Sequence, residues 1–271
     1  MNNTKIEWCD STWNPVTGCL HGCEYCYARK IANRFGRAIL DRSEESQNGL
    51  HCLYSRVEHN PYPYIFEPTL HAYRLDEPQK WEKPRTIFVC SMADLFGEWV
   101  PDEWIEAVFE ACAKAPQHRY LFLTKNPQRY IELDGRNKLP IKDNMWYGAT
   151  ASNNEQLSEV INSFGYFEKG YLEKEAKTFL SIEPILENVN INNIHLPTGW
   201  YTDYGAYVDW VIIGAESGNR KDKVIPPKAW IDSISEKCKY DVRVSVFMKD
   251  SLIPVIGEEN MRREFPWEAS E

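Results

Sequence analysis

Six short runs of consecutive apolar residues recur along this chain, at 86–90 (TIFVC), 119–123 (RYLFL), 145–149 (MWYGA), 178–182 (TFLSI), 209–213 (DWVII) and 244–248 (VSVFM). Apolar side chains on successive rather than alternating positions suit parallel strands covered on both faces. Between several of the runs lie segments with helical periodicity. Trp104, Ile105, Val108, Phe109 and Cys112 share one face of 102–114. Leu157, Val160, Ile161 and Phe164 do the same in 154–164, where Gly165 is placed to stop the helix. Trp230, Ile231, Ile234 and Cys238 repeat the pattern after Pro226 and Pro227. A first strand near 12–17 brings the strands to seven.

Alternating strand and helix implies βα units, a parallel sheet and right-handed crossovers. The expected fold class is α/β, and residues 1–271 are expected to form a single domain, since barrels run to ~250 residues as one unit. Two stretches break the rhythm, at about 41–85, with five prolines and many aromatics, and at 184–207, rich in Asn. Both are too long for simple connections and are expected to be structured insertions near a functional face.

Nearly every run ends in a compact polar signature. The first strand is followed by a cysteine loop, the second by Ser91, Met92 and Asp94, and the third by Thr124 and Lys125. Then come Thr150 and Ser152, Ser181 and Glu183, Glu216 and Ser217, and Lys249 with Asp250. One polar residue after a strand is ordinarily a helix cap, a role open to Ser152 and Asn153. In a parallel barrel, however, the carboxyl ends of all strands share one mouth, so seven such ends in succession predict a shared site.

The cysteine loop, GCLHGCEYCYA at 18–28, places Cys19, Cys23 and Cys26 within eight positions. No apolar run approaches the ~20 residues that cross a bilayer, and MNNTKIEWCD lacks a signal-peptide stretch. A cytoplasmic protein is expected, in which eight cysteines stay reduced unless bound or catalytic. That disfavours disulfides. Zinc takes four ligands in a structural site; no second CxxC is present, although Cys9 or His21 offers a fourth ligand. An iron–sulfur cubane takes thiolates, and three on one loop would leave an iron open. Cys112 and Cys238 sit on apolar helix faces as small core residues.

The C-x3-C-x2-C spacing, with Tyr25 directly before the last cysteine, resembles the radical S-adenosylmethionine (radical SAM) superfamily. EWCDSTWNPVTGC, CSMADLFGEWVPDEW, FLTKNPQRY, FLSIEPIL and WVIIGAESG resemble signatures of one radical-SAM-like family common in phages and prophages, with no general function assigned; they fall within residues 7–250. The resemblance implies a partial (β/α)6-type parallel barrel with an extra strand. It also implies a 4Fe–4S cluster on Cys19, Cys23 and Cys26, S-adenosylmethionine as second cofactor, and a reductant protein of flavodoxin or ferredoxin type as partner. The reaction it implies is reductive cleavage of S-adenosylmethionine to a 5′-deoxyadenosyl radical that acts on an unidentified substrate.

Cofactor-binding roles follow from the same resemblance. Lys125 or Lys249 would neutralise the methionine carboxylate, with Thr124 donating to it. Asp94, Glu183 and Glu216 would accept from the ribose hydroxyls and the amino group. Ser152 and Ser217 belong to the same strand-end set, and Tyr25 resembles the position whose backbone approaches the adenine. The superfamily's Gly-Gly-Glu after the second strand is absent here; SMAD at 91–94 takes its place, so Ser91 or Asp94 would contact the amino group. Glu183 also reads as a buried partner of Lys249. Gly214 and Gly218 flank Glu216 and allow close backbone approach.

Two rivals remain: a non-catalytic, metal-stabilised phage accessory or partner-binding protein, and a nucleic-acid lesion repair lyase of the radical SAM type. The second would use Tyr54, Tyr62, Tyr64, Phe66 and Tyr73 to stack on bases, although aromatics in an insertion more often build a satellite core. A net charge of −9 disfavours a nucleic-acid coat. A small molecule or peptide is therefore the expected substrate rather than duplex DNA, and no membrane is involved. Arg29, Lys30, Arg34 and Arg37 form a local basic patch, ordinarily a solvated helix face.

Overall fold

The computed structural model describes residues 4–38, 49–167, 176–192, 194–195, 206–240 and 244–268. The chain falls into two compact units, Met1–Asn126 and Pro127–Glu271. Both are α/β; the six apolar runs and the stretch near 12–17 supply three strands of a parallel ladder in the first unit and four in the second.

The first unit runs β1 (Ser11–Trp13), β2 (Val16–Thr17), α1 (Tyr27–Phe35), β3 (His51–Leu53), β4 (Thr69–His71), β5 (Thr86–Val89), α2 (Asp102–Ala113) and β6 (Arg119–Thr124). Its parallel strands are ordered β1-β5-β6, with Trp13 opposite Val89 and Val89 opposite Phe122. All four residues of β5 are buried, as continuous apolar runs require. Ile105, Val108, Phe109 and Cys112 form the buried face of α2, whose first-turn Asp102 and Glu103 favour the helix N-terminus.

The single strand expected over 12–17 is two. Pro15 cannot donate to a ladder, so β1 ends at Trp13 and β2 joins a separate sheet, antiparallel to β4, which runs parallel to β3. Asn14, in the break, accepts from the Ser91 hydroxyl (3.1 Å) and the Met92 amide (3.0 Å) through Oδ1. The break thereby fastens the end of β1 to the turn after β5.

The second unit runs α3 (Gln128–Asp134), β7 (Met145–Thr150), α4 (Asn154–Phe167), β8 (Lys177–Ile182), β9 (Ile194–His195), β10 (Ala206–Tyr207), β11 (Trp210–Ile213), α5 (Lys228–Tyr240), β12 (Ser245–Met248) and α6 (Ile253–Ile256). The order β7-β8-β11-β12 is parallel throughout. Within the Asn-rich stretch β9 and β10 pair in parallel; residues 196–205 of it, and 41–48 of the earlier one, lie outside the described residues. Gly165 does not stop α4, which continues to Phe167. An interior glycine costs a helix only about 1 kcal/mol, and the neighbouring Val160 and Phe164 are buried. Asn153 is the cap: its Oδ1 accepts from Gln156 N (2.8 Å), while Ser152 N donates to Gln156 Oε1 (2.7 Å). Among the described residues no helix is long and apolar enough to cross a membrane.

Candidate functional site

In the first unit the cysteine loop leaves β2 at Gly18, whose φ of +87° and amide bond to Met92 O (2.9 Å) turn the chain over the end of β5. A Cβ there would fall 2.2 Å from Glu67 O, so only glycine fits. Cys19 is held at both backbone groups: its N–H donates to Phe66 O (3.2 Å) and its carbonyl accepts from Arg29 Nη2 (3.3 Å). Cys26 closes the loop. Its amide donates to Cys23 O (3.2 Å), and its Sγ accepts from Arg29 N (3.3 Å) in the position of a helix cap for α1. Ala28 and Ala32 of α1 then bury against Phe66 and Met92.

Two side-chain ties hold the loop to the strand ends. His21 Nε2 lies 2.7 Å from Asp94 Oδ2. The same oxygen accepts from Lys125 N (2.8 Å), and Oδ1 accepts from Phe96 N (3.0 Å). Asp94 is buried, and these three partners compensate its charge. The second tie runs from Lys125 Nζ to the Tyr25 hydroxyl (3.0 Å). Tyr27 adds a bond to Ser91 O (2.6 Å). Thr124 turns inward on its own chain, its hydroxyl accepting from Asn126 N (2.8 Å). Tyr25, Ser91, Asp94, Thr124 and Lys125 thus share the strand ends of this unit with the three cysteines.

All three thiols are free and half-buried. Burial pushes the Cys19 thiol up to about 12; the His21 amide works against the shift, while the charges of Asp94, Cys23 and Cys26 add to it. Cys19 is therefore a neutral thiol until a cation draws off its proton. Among the described residues no three His, Cys, Asp or Glu side chains close around one point. A single zinc ion at ~2.3 Å from each sulfur demands such closure. The two fourth ligands considered for zinc are engaged elsewhere, His21 Nε2 with Asp94 and Cys9 Sγ with Ile6 O (3.9 Å). Three soft thiol donors on one loop are the ligand type that iron–sulfur clusters take.

In the second unit Ile182, Ile213 and Met248 are in register, so Glu183, Gly214 and Lys249 form the next row across β8, β11 and β12. Lys249 and Glu183 pair over Gly214. A Cβ on Gly214 would come within 3.2 Å of Lys249 Cδ and 3.3 Å of Glu183 Cγ, so the glycine opens the path between the two outer strands. Gly218, at φ +88°, faces open space. Glu216 is buried in a two-pronged pair with Arg220 (2.8 Å each) that the sequence reading missed. Thr150 is buried at the end of β7, the Ser152 hydroxyl is buried with no partner among the described residues, and Ser217 is exposed.

The aromatic segment mostly packs inward. Tyr64 stacks on His51 (3.6 Å, 5°), Tyr73 meets His71 edge-on, and Tyr62 packs on the cluster around Phe66; Tyr54 is exposed. His71, fully buried, lies 2.8 Å from the Thr17 hydroxyl and 3.3 Å from the Tyr73 hydroxyl. Burial, with Arg74 nearby, pushes its imidazole down to about 3.

A family model described as a protein of unknown function (DUF5131) matches residues 3–251, and the chain belongs to that family. No curated protein and no solved structure matches it.

Proposed function

We propose that this member of the DUF5131 family is a radical SAM enzyme that holds an iron–sulfur cluster on Cys19, Cys23 and Cys26. One observation carries the reading: three free, half-buried thiols occupy a single loop that is tied by His21 and Tyr25 to Asp94 and Lys125 at the ends of parallel strands. When bound, such a cluster supplies the electron that splits the sulfonium of S-adenosylmethionine, leaving a 5′-deoxyadenosyl radical to act on a small molecule or peptide. The partial barrel of the radical SAM kind belongs to the same proposal.

Lys125 spends one of its three ammonium N–H groups on Tyr25, which leaves two for the methionine carboxylate. Asp94 already accepts from three donors. It is therefore a positioning residue for the loop, and Ser91 is the better partner for the amino group. The reading rests on the first unit alone; Ser152, Glu183, Glu216, Ser217 and Lys249 enter it as further polar candidates for cofactor or substrate.

The test is anaerobic reconstitution followed by metal and sulfide analysis and reaction with dithionite and S-adenosylmethionine. About four irons and four sulfides per chain are expected, with slow release of 5′-deoxyadenosine even without substrate. One zinc and no sulfide would favour the scaffold rival, and a fully loaded cluster that forms no 5′-deoxyadenosine would sink the enzyme reading.

A further inference from the structure

Five large apolar side chains are exposed among the described residues, and three of them, Leu20, Tyr27 and Phe35, fall in the cysteine loop and α1. Tyr27, Lys30 and Arg34 share one stripe of that helix at i, i+3 and i+7, opposite the buried Ala28 and Ala32. Lys30, Arg34 and Arg37 are exposed and pair with no carboxylate among the described residues. Arg34 lies over the Phe35 ring (5.2 Å). Residues 18–38 hold four cations against Glu24, a balance of +3 in a chain of net charge −9, which leaves −12 for the remainder.

We infer that this face is the docking surface for an acidic electron-donor protein. The inference rests on the reading of Cys19, Cys23 and Cys26 as cluster ligands. In each encounter the donor is oxidised by one electron and the cluster is reduced by one, with no bond made or broken in either protein. Electron transfer falls steeply with distance, so a donor must sit on the loop itself, where Leu20 and Tyr27 adjoin Cys19 and Cys26. Aromatic and arginine side chains are the ones enriched at protein interfaces, and redox encounters use small ones. The positive face on an acidic chain steers an acidic partner to this spot and repels it elsewhere. A nucleic acid would need more phosphate contacts than three or four cations supply.

Flavodoxin is the probe, an acidic one-electron donor titrated against the metal-free and the reconstituted protein. Binding is expected to weaken at least about tenfold in the triple variant Lys30→Glu, Arg34→Glu, Arg37→Glu, and on raising salt from about 20 to about 200 mM. Reduction of the cluster by reduced flavodoxin should slow by a similar factor, while dithionite reduces wild type and variant alike. No flavodoxin binding, equal binding by wild type and variant, or equal slowing with dithionite would overturn the inference. So would an oligonucleotide or a second copy of the chain that binds this face more tightly than flavodoxin does. A protein that takes up no iron and sulfide fails the enzyme reading whatever it binds, whereas one that loads fully yet ignores flavodoxin fails the docking inference alone.

Discussion

Replacing Gly18 by alanine puts a methyl group 2.2 Å from Glu67 O, 2.4 Å from Glu67 C and 2.8 Å from Phe66 O. All three are backbone atoms, so no rotamer change relieves the contact. A non-glycine residue at φ +87° costs about 1–2 kcal/mol before any clash. Moving the chain aside strains or breaks Gly18 N to Met92 O and Cys19 N to Phe66 O, each worth about 1 kcal/mol. The total is about 3–4 kcal/mol, concentrated where the loop leaves β2. Gly22 supplies the internal control: its φ is +72° with nothing near a Cβ, so Gly22→Ala meets only the conformational cost of about 1–2 kcal/mol. Hydrogen exchange over residues 14–28 reads the local opening directly. The difference of about 2 kcal/mol predicts exchange roughly thirtyfold faster in Gly18→Ala than in Gly22→Ala, and weaker iron uptake with it. Equal exchange in the two variants would refute the idea that the loop is pinned against Glu67.

Alanine at Cys19, Cys23 or Cys26 should abolish the broad absorption near about 400 nm of the reconstituted protein, while Cys112→Ala should keep it because Cys112 is a fully buried core residue; retention of the band in Cys26→Ala would break the ligand assignment. Lys125→Met should weaken S-adenosylmethionine binding about ten- to a hundredfold with the cluster still loaded, the loss of one charge-assisted bond, and calorimetric titration showing unchanged affinity would remove Lys125 from the site. His71 is neutral in the fold with its pKa pushed down to about 3, against 6.5 when exposed. The unfolded chain therefore binds the extra proton first, so stability is complete above pH ~6.5 and falls by several kcal/mol as pH drops toward ~3; urea midpoints across that window should flatten in His71→Gln, and an unchanged slope would exclude His71 as the cause.

The strands were legible because a strand buried on both faces is apolar along most of its length, and β5, β7, β11 and β12 are buried at every position, with their polar residues Thr86, Thr150 and Ser245 at strand ends. Two errors had local causes. The apolar stretch near 12–17 hides a proline that divides it between two sheets, and Gly165 is tolerated because its helix is anchored by packing rather than by propensity. The row of Glu183, Gly214 and Lys249 was partly visible, since a glycine and a charge pair at successive strand ends carry their own meaning. Glu216 with Arg220 has helical spacing but sits in no helix, so the pattern was passed over.

The cysteine loop stood out for the opposite reason: the spacing of its cysteines is local, and the ties that hold the loop are not. His21 meets Asp94 across 73 positions and Tyr25 meets Lys125 across 100, separations over which sequence carries no pairing signal. Yet the loop holds a simpler pattern. Cys19, His21, Cys23 and Tyr25 are half-buried, while Leu20, Gly22 and Glu24 between them are exposed. The alternation has the period of an extended chain, although the segment belongs to no sheet. Its inward positions carry thiols, an imidazole and a phenol, and its one exposed aliphatic side chain, Leu20, is spent on solvent. A loop built only to pack would do the reverse, burying the leucine and exposing the histidine. The inversion puts the polar side chains of the loop where His21 and Tyr25 reach Asp94 and Lys125, the arrangement on which the proposed ligand role of the cysteines draws.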